Sequence, residues 1–478
     1  MKGLYRYLSP FSPDQSGAVA VLYELGGIIV ILDAGGCAGN ICGFDEPRWG
    51  HKQSAVYSAG IRDLDAILGR DERTIDKVGG AVEAVGNANF IALIGTPVPA
   101  VVGTDLRALA RMCEKKFGLP TLPIETYGME YYDKGAELSY MTLIKALEKG
   151  ALDASYEKLG LHLPSRVAAV KAAALEGAAP VDPRAHVASV GVLGATPLDL
   201  LSLDGAELIR QRVETKQTQQ NLLHMRLRTG EITSPFRHVV QKTYEDNKPD
   251  VYVFGMDCGF DQLGHLFTVD RNVVVSPAGL KPAKYLEQKY GIPYEVSYPI
   301  GHELAVSLHR RVCEAAQPAD AEPAARSAKV LILHQQVAGN SLRESLESIN
   351  DANRTLNALD AMGPTSMLEE SGKGVPGTED IPRPEPEVHP EAELSISVGT
   401  FFEQEGSIAQ EGDRKFTGED EFLDYLKAEQ FDVILGDPMY RMALKWWDGT
   451  FLPLPQYSVS GEAHEASTEA DLLSFQNN

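Results

Sequence analysis

The chain has 478 residues, more than one ordinary core organises, so about three domains are expected. Hydrophobic residues make up 44% and charged residues 23%, and no apolar run approaches the roughly 18 residues a membrane helix needs. A formal charge of −23 argues against a nucleic-acid partner, and the opening Met1-Lys2-Gly3-Leu4-Tyr5-Arg6 has no apolar signal core, so the expectation is a cytoplasmic protein with no membrane contact.

Short β-branched runs, each followed by a Gly/Pro loop and an amphipathic helix, recur along the chain. That alternation predicts an α/β fold of several Rossmann-like units with parallel sheets and right-handed crossovers. The clearest strands are predicted over 27–32, 90–94, 188–193, 251–254, 272–275, 330–333 and 431–435. Helices are predicted over 104–117, 280–290, 301–316 and 339–349. Residues 272–299 form a complete βαβ unit, with Gly291 as the residue that closes its helix and Pro293 preventing continuation.

These elements sort into domains. Residues 1–150 form a first Rossmann-like domain and 151–185 an alanine-rich helical connection. Residues 186–316 form a second such domain, 317–328 a linker, and 329–461 a third domain. The third carries an acidic, proline-rich insertion over 363–393 expected to be solvated, and an acidic tail fills 462–478.

Open α/β sheets bind ligands beyond the carboxyl ends of their strands, so the loops there hold the candidates. The loop after the first strand reads Asp33-Ala34-Gly35-Gly36-Cys37-Ala38-Gly39-Asn40-Ile41-Cys42-Gly43. Its glycines, Gly36 and Gly39 among them, leave backbone amides free to approach a charged group, and two thiols in such a setting suit iron–sulfur ligation. The plain alternative is a tight turn whose thiols are small buried residues. Five cysteines in all, an odd number, do not make a disulfide framework, and Cys113 and Cys313 fall in helical patterns as buried thiols. Cys258 follows another strand beside Asp257, Asp261 and His265, a candidate cofactor contact. His334 and Gln335 follow the strand at 330–333 and open a helix whose N-terminus suits an anion; capping and packing explain them equally well. No GxxxxGK[ST] phosphate loop and no strand-linked GxGxxG occurs, so neither ATP hydrolysis nor nicotinamide binding is expected.

The Gly-Cys loop resembles the segment of nitrogenase molybdenum–iron protein subunits that ligates the bridging cluster. Residues 91–106, Ile-Ala-Leu-Ile-Gly-Thr-Pro-Val-Pro-Ala-Val-Val-Gly-Thr-Asp-Leu, are similar to that family's second strand, Cys-Pro loop and following helix start. Leu122–Gly128, Lys289–Pro293, the unit from Lys329 to Ile349 and the ending Phe451–Ser458 match as well. The chain is on these grounds similar to nitrogenase component 1-like oxidoreductases, including nitrogenase-like tetrapyrrole reductases.

Departures limit what the resemblance implies. Thr96 stands where the family has a cluster cysteine, no thiol stands near residues 10–17, and none stands near Val275-Ser276-Pro277. A molybdenum–iron cofactor and an eight-iron cluster are therefore not expected. The resemblance implies a simpler cluster, a [4Fe–4S] at a subunit interface, with Cys37 and Cys42 from each of two chains supplying four thiolates and Asp14 or Asp33 as a substitute ligand. It further implies a homodimer, or a heterodimer with a related subunit, and electrons from a separate ATP-dependent iron–sulfur reductase. The expected activity is reduction of an unidentified small molecule; a scaffold for metallocofactor assembly and a metal-free ligand-binding protein are the alternatives.

Overall fold

The computed structural model describes residues 5–69, 71–161, 187–199, 205–229, 248–317, 320, 326–362 and 389–461. The linker, the acidic insertion, the tail and most of the alanine-rich connection lie largely or wholly outside these residues.

Three parallel sheets organise the chain. The first contains β1 (Ile28–Ile31), β2 (Ala55–Ser58), β3 (Ile91–Ile94) and β4 (Thr121–Ile124) in the order β2-β1-β3-β4. The second contains β5 (Ser189–Leu193), β6 (Asp250–Val253), β7 (Arg271–Val274) and β8 (Tyr294–Val296) in the order β6-β5-β7-β8. The third contains β9 (Ser327–Leu333), β10 (Glu393–Thr400), β11 (Arg414–Lys415), β12 (Val433–Gly436) and β13 (Thr450–Pro453) in the order β11-β10-β9-β12-β13. The inner strands β1, β3 and β12 are buried at every position, as helices on both faces of a parallel sheet require.

Among the helices, α1 (Asp14–Leu22), α2 (Gly36–Asn40), α3 (Asp63–Leu68), α4 (Asp71–Val85), α5 (Pro97–Val102), α6 (Leu106–Phe117) and α7 (Tyr132–Glu148) belong to the first domain. Helices α1 and α7 cross so closely that a methyl group on Gly17 would strike the Tyr132 carbonyl, and one on Gly135 the Asp14 carbonyl. Helix α8 (Asp153–Lys158) follows, then α9 (Gly205–Thr229), α10 (Leu280–Tyr290) and α11 (His302–Ala315) around the second sheet. Gly291 ends α10 with a φ of 67°, a conformation glycine adopts without strain. The helix predicted over 339–349 is longer, α12 (Gln336–Met362), and its apolar face packs on β9 and β10.

In each sheet the strand order reverses once: between β1 and β3, between β5 and β7, and between β9 and β12. Loops leaving the two strands at such a reversal diverge to opposite faces and open a crevice. Polar contacts tie the three crevices together. Tyr132 at the start of α7 donates to Asp199 after β5 (2.5 Å), and Gln456 after β13 reaches the Tyr132 hydroxyl (3.3 Å). Gln335 after β9 donates its amide to the Val275 carbonyl after β7 (2.8 Å).

Candidate functional site

The Cys37 loop leaves β1 at the first reversal, and the loop carrying Thr96 leaves its neighbour β3. Gly35 turns the chain with a φ of 119° and starts α2. Asp33, buried at the strand end, accepts the Ala38 amide (2.8 Å) and the Ser58 hydroxyl (2.5 Å), so its carboxylate shapes the loop. Helix α2 runs into a π-turn over Ile41–Asp45, closed by the Glu46 amide on the Ile41 carbonyl at 2.9 Å. Such widened turns concentrate at functional sites.

Cys37 and Cys42, one on each part of this segment, are both half-buried and free of disulfides. A methyl group added at Gly35, Gly36, Gly39 or Gly43 would meet nothing, so the whole outer face of the segment is open in the single chain. Burial pushes both thiols up, with Asp33 adding to the effect at Cys37 and Glu46 at Cys42. In the lone chain they are neutral thiols, and a bound cation or cluster would have to supply the charge that turns them into thiolate ligands.

The base of the segment is rigid. Arg48 chelates Glu46 (2.7 Å from both Nε and Nη2), donates to the Ala20 carbonyl (2.7 Å) and stacks on Tyr23 with its guanidinium 4.6 Å from the ring centre. Asp45 is buried and accepts from Ser12 (3.1 Å), Ser16 (2.6 Å) and Asn40 (2.6 Å).

The remaining sequence candidates separate. Asp14 lies near enough to Cys37 for its charge to act on the thiol. Its carboxylate is occupied, however: Oδ1 accepts the Gln15 and Gly128 amides (both 2.8 Å) and Oδ2 the Tyr127 amide (3.0 Å). Thr96 donates to the Leu32 carbonyl at 2.7 Å and caps α5. Cys258 is 1% exposed inside an apolar cluster with Phe254 and Phe260, and burial pushes its thiol up to about 12; it packs as a core residue. His334 is fully enclosed at the third reversal, and burial pulls it down to about 4, so it is neutral. Gln335 has its amide on Val275 and its carbonyl oxygen on the Val337 amide (2.8 Å).

The junction of the three crevices also holds residues that reading the sequence passed over. Asp199 is fully buried between the Tyr132 and Thr196 hydroxyls, and burial raises its carboxyl to about 7. Asp133, also buried, is raised to about 6 and accepts the Glu403 amide. Nothing in their local sequence distinguishes them from helix-start and loop acids. Among the described residues, no group of three His, Cys, Asp or Glu side chains is placed to hold a metal ion. A cluster held by Cys37 and Cys42 would therefore need its remaining ligands from beyond the described residues.

Comparison with known proteins agrees with this architecture. The solved structure titled "Nitrogenase Cp1 at pH 6.5" superposes with a TM-score of 0.53 at 12% identity, over 95% of this chain and 87% of that one. "Nitrogenase Cp1 at pH 5" gives a TM-score of 0.54 at 11% identity, over 99% and 88%. No curated protein matches by sequence. The profile of the family described as nitrogenase component 1 type oxidoreductase matches residues 16–343, which span the first two sheets and β9. The chain belongs to the nitrogenase component 1 type oxidoreductase family.

Proposed function

We propose that this chain is an electron-accepting component of a nitrogenase-like reductase, acting as a homodimer or with a related subunit on a small molecule. The observation that carries the reading is the pair Cys37 and Cys42, half-exposed on an open glycine face at the first strand reversal, with no third ligand grouped with them among the described residues. Two such faces meeting across a two-fold axis would bring four thiols together, the number a [4Fe–4S] cluster takes. When bound, that cluster would supply one-electron storage.

The chain's own residues would then do the rest. Asp33 and Arg48 hold the loop in shape, so the thiols keep their spacing without help from a ligand. Asp199 and Asp133, with carboxyls raised by burial to about 7 and about 6, would gain and lose protons close to neutral pH where α7 meets the loops after β5 and β10. Reduction consumes protons, and carboxyls so poised are suited to store them.

Electrons would come from a separate ATP-dependent iron–sulfur reductase. Its docking face is read from Leu64, Ile67 and Leu68 on α3 and Val101 on α5, which are 57–85% exposed. Both helices are tied to the root of the cysteine loop: the Ile61 amide donates to the Asp33 carbonyl (2.7 Å), and Thr96 caps α5 while binding Leu32. Clustered apolar side chains of this kind mark protein contacts.

Iron and acid-labile sulfide, with an electron paramagnetic resonance spectrum, measured on protein prepared without oxygen, test the reading. About four irons per dimer in the wild type and none in a Cys37→Ala, Cys42→Ala variant are expected. Iron-free wild type after reconstitution would sink it.

A further inference from the structure

A cavity of about 560 Å³ lies beside the cysteine segment, in the size range of small-molecule sites. Four separate stretches wall it: residues 5 and 9–13, the end of the π-turn, the loop after β4, and the short helix α13 (Tyr457–Ser460). Among the described residues its walls carry two acids, Asp45 and Glu130, and no lysine, arginine or histidine. Tyr5, Phe11, Phe44 and Tyr131 give it flat apolar surface. The Tyr5 and Tyr131 hydroxyls meet at 3.2 Å, the Phe11 and Tyr131 rings lie 5.8 Å apart, and Phe44 is 66% exposed at the rim.

The polar end is built. Asp45 is 8% exposed and held by Ser12, Ser16 and Asn40, so its orientation is set before any ligand arrives. Ser458 also lines the cavity, with its hydroxyl turned inward beside the Tyr132 hydroxyl.

From this combination we infer that the cavity binds a planar organic molecule that is cationic or rich in N–H donors, its ring against the aromatic wall and its donors toward Asp45. An anionic ligand of the same shape is disfavoured, because bringing a second negative charge to a desolvated carboxylate is repulsive with no cation nearby. Rings also attract cations over their faces, which adds to the preference. That the bound molecule is the substrate of reduction rests on the function proposed above; the binding site itself does not.

Binding of proflavine, a planar cationic diamine, and of anthracene carboxylate, a planar anion, to the full-length metal-free chain tests the inference by fluorescence titration. One proflavine per chain is expected, weakened at least tenfold in Asp45→Asn and severalfold in Phe44→Ala, with no measurable binding of the anion. Glu83→Gln, which removes the same charge from an exposed helix position elsewhere, controls for general attraction to an acidic protein and should bind as wild type. Equal weakening by Glu83→Gln, unchanged affinity in Asp45→Asn, or binding of the anion would overturn the site. Should Asp45→Asn fail to fold, Phe44→Ala decides alone, since its exposed ring contributes little to the core; unchanged affinity there overturns the site too. The titration needs no metal, so its failure leaves the cluster untouched, and iron-free protein leaves this site standing.

Discussion

The Tyr132 hydroxyl lies 2.5 Å from Asp199 Oδ1, a contact that joins the first residue of α7 to the loop after β5 with both side chains fully buried. Burial is the main reason that the Asp199 carboxyl rises from 3.8 to about 7; the Tyr132 and Thr196 hydrogen bonds oppose the rise, and the charge of Asp133 adds to it. A carboxyl raised in the folded state keeps its proton where the unfolded chain has lost it. From about pH 4 to about pH 7 the folded state thus binds more protons, and stability from this group falls as pH rises through that window. The loss is at most about 4 kcal/mol. Denaturant titrations across the window should show Asp199→Asn gaining stability relative to wild type toward neutral pH. A difference between the two that stays constant with pH would show that Asp199 is ionised throughout.

Gly39 is the second test of the cysteine face. It sits inside α2 with open space where a side chain would grow, so Gly39→Ala should leave the isolated chain as stable or add about 0.5–1 kcal/mol through helix propensity. Gly39→Leu should also leave the isolated chain folded. If a second chain closes over this face, the leucine will obstruct it, and sedimentation should show a shift from dimer toward monomer. A Leu variant that dimerises as the wild type does would place the subunit contact elsewhere.

Period and punctuation in the sequence carried the sheets: runs such as Ile91–Ile94 and Val433–Gly436, fully buried in parallel ladders, read as continuous apolar strands. Strand β10 escaped notice because polar and apolar residues alternate at its start and it emerges from an acidic, proline-rich stretch. The open turn that carries the cysteines was legible, since glycines around thiols leave a local signature. Asp45 and Asp199 were not. Their partners, Ser12 and Ser16 for one and Tyr132 for the other, lie 29 to 67 residues away, and only the packing of the π-turn on α1 and of the loop after β5 on α7 brings them together. Asp14 shows the converse error: a carboxylate in a suggestive place is committed to backbone amides, which no local pattern discloses.

Arg48 neutralises two nearly buried acids, Glu46 at 2.7 Å and Glu24 at 3.5 Å. Removing the cation strands Glu46 and leaves Glu24 paired with Lys52, at 2.9 Å, so Arg48→Met should cost about 3–5 kcal/mol in chemical denaturation. Combining it with Glu46→Gln should recover part of that cost, because the unpaired charge goes with it. A double variant as unstable as the sum of the two singles would mean that Arg48 acts through its bonds to the Ala20 and Gly255 carbonyls instead.

The docking face proposed on α3 and α5 lets electron delivery be tested apart from electron storage. Ile67 is 76% exposed and Val101 85%, so Ile67→Glu and Val101→Glu remove no core contact and should change stability by less than about 0.5 kcal/mol. If the reductase docks here, each charge must be desolvated against an apolar partner surface, a cost of a few kcal/mol that appears as a fall of tenfold or more in the rate of reductase-driven reduction. Reduction by dithionite, a small reagent that needs no docking face, should proceed at the wild-type rate in the same variants. Stopped-flow absorbance of the bound cluster reads both rates on one preparation. Equal loss with both reductants would point to a damaged site, and no loss with either would move the docking face away from these two helices.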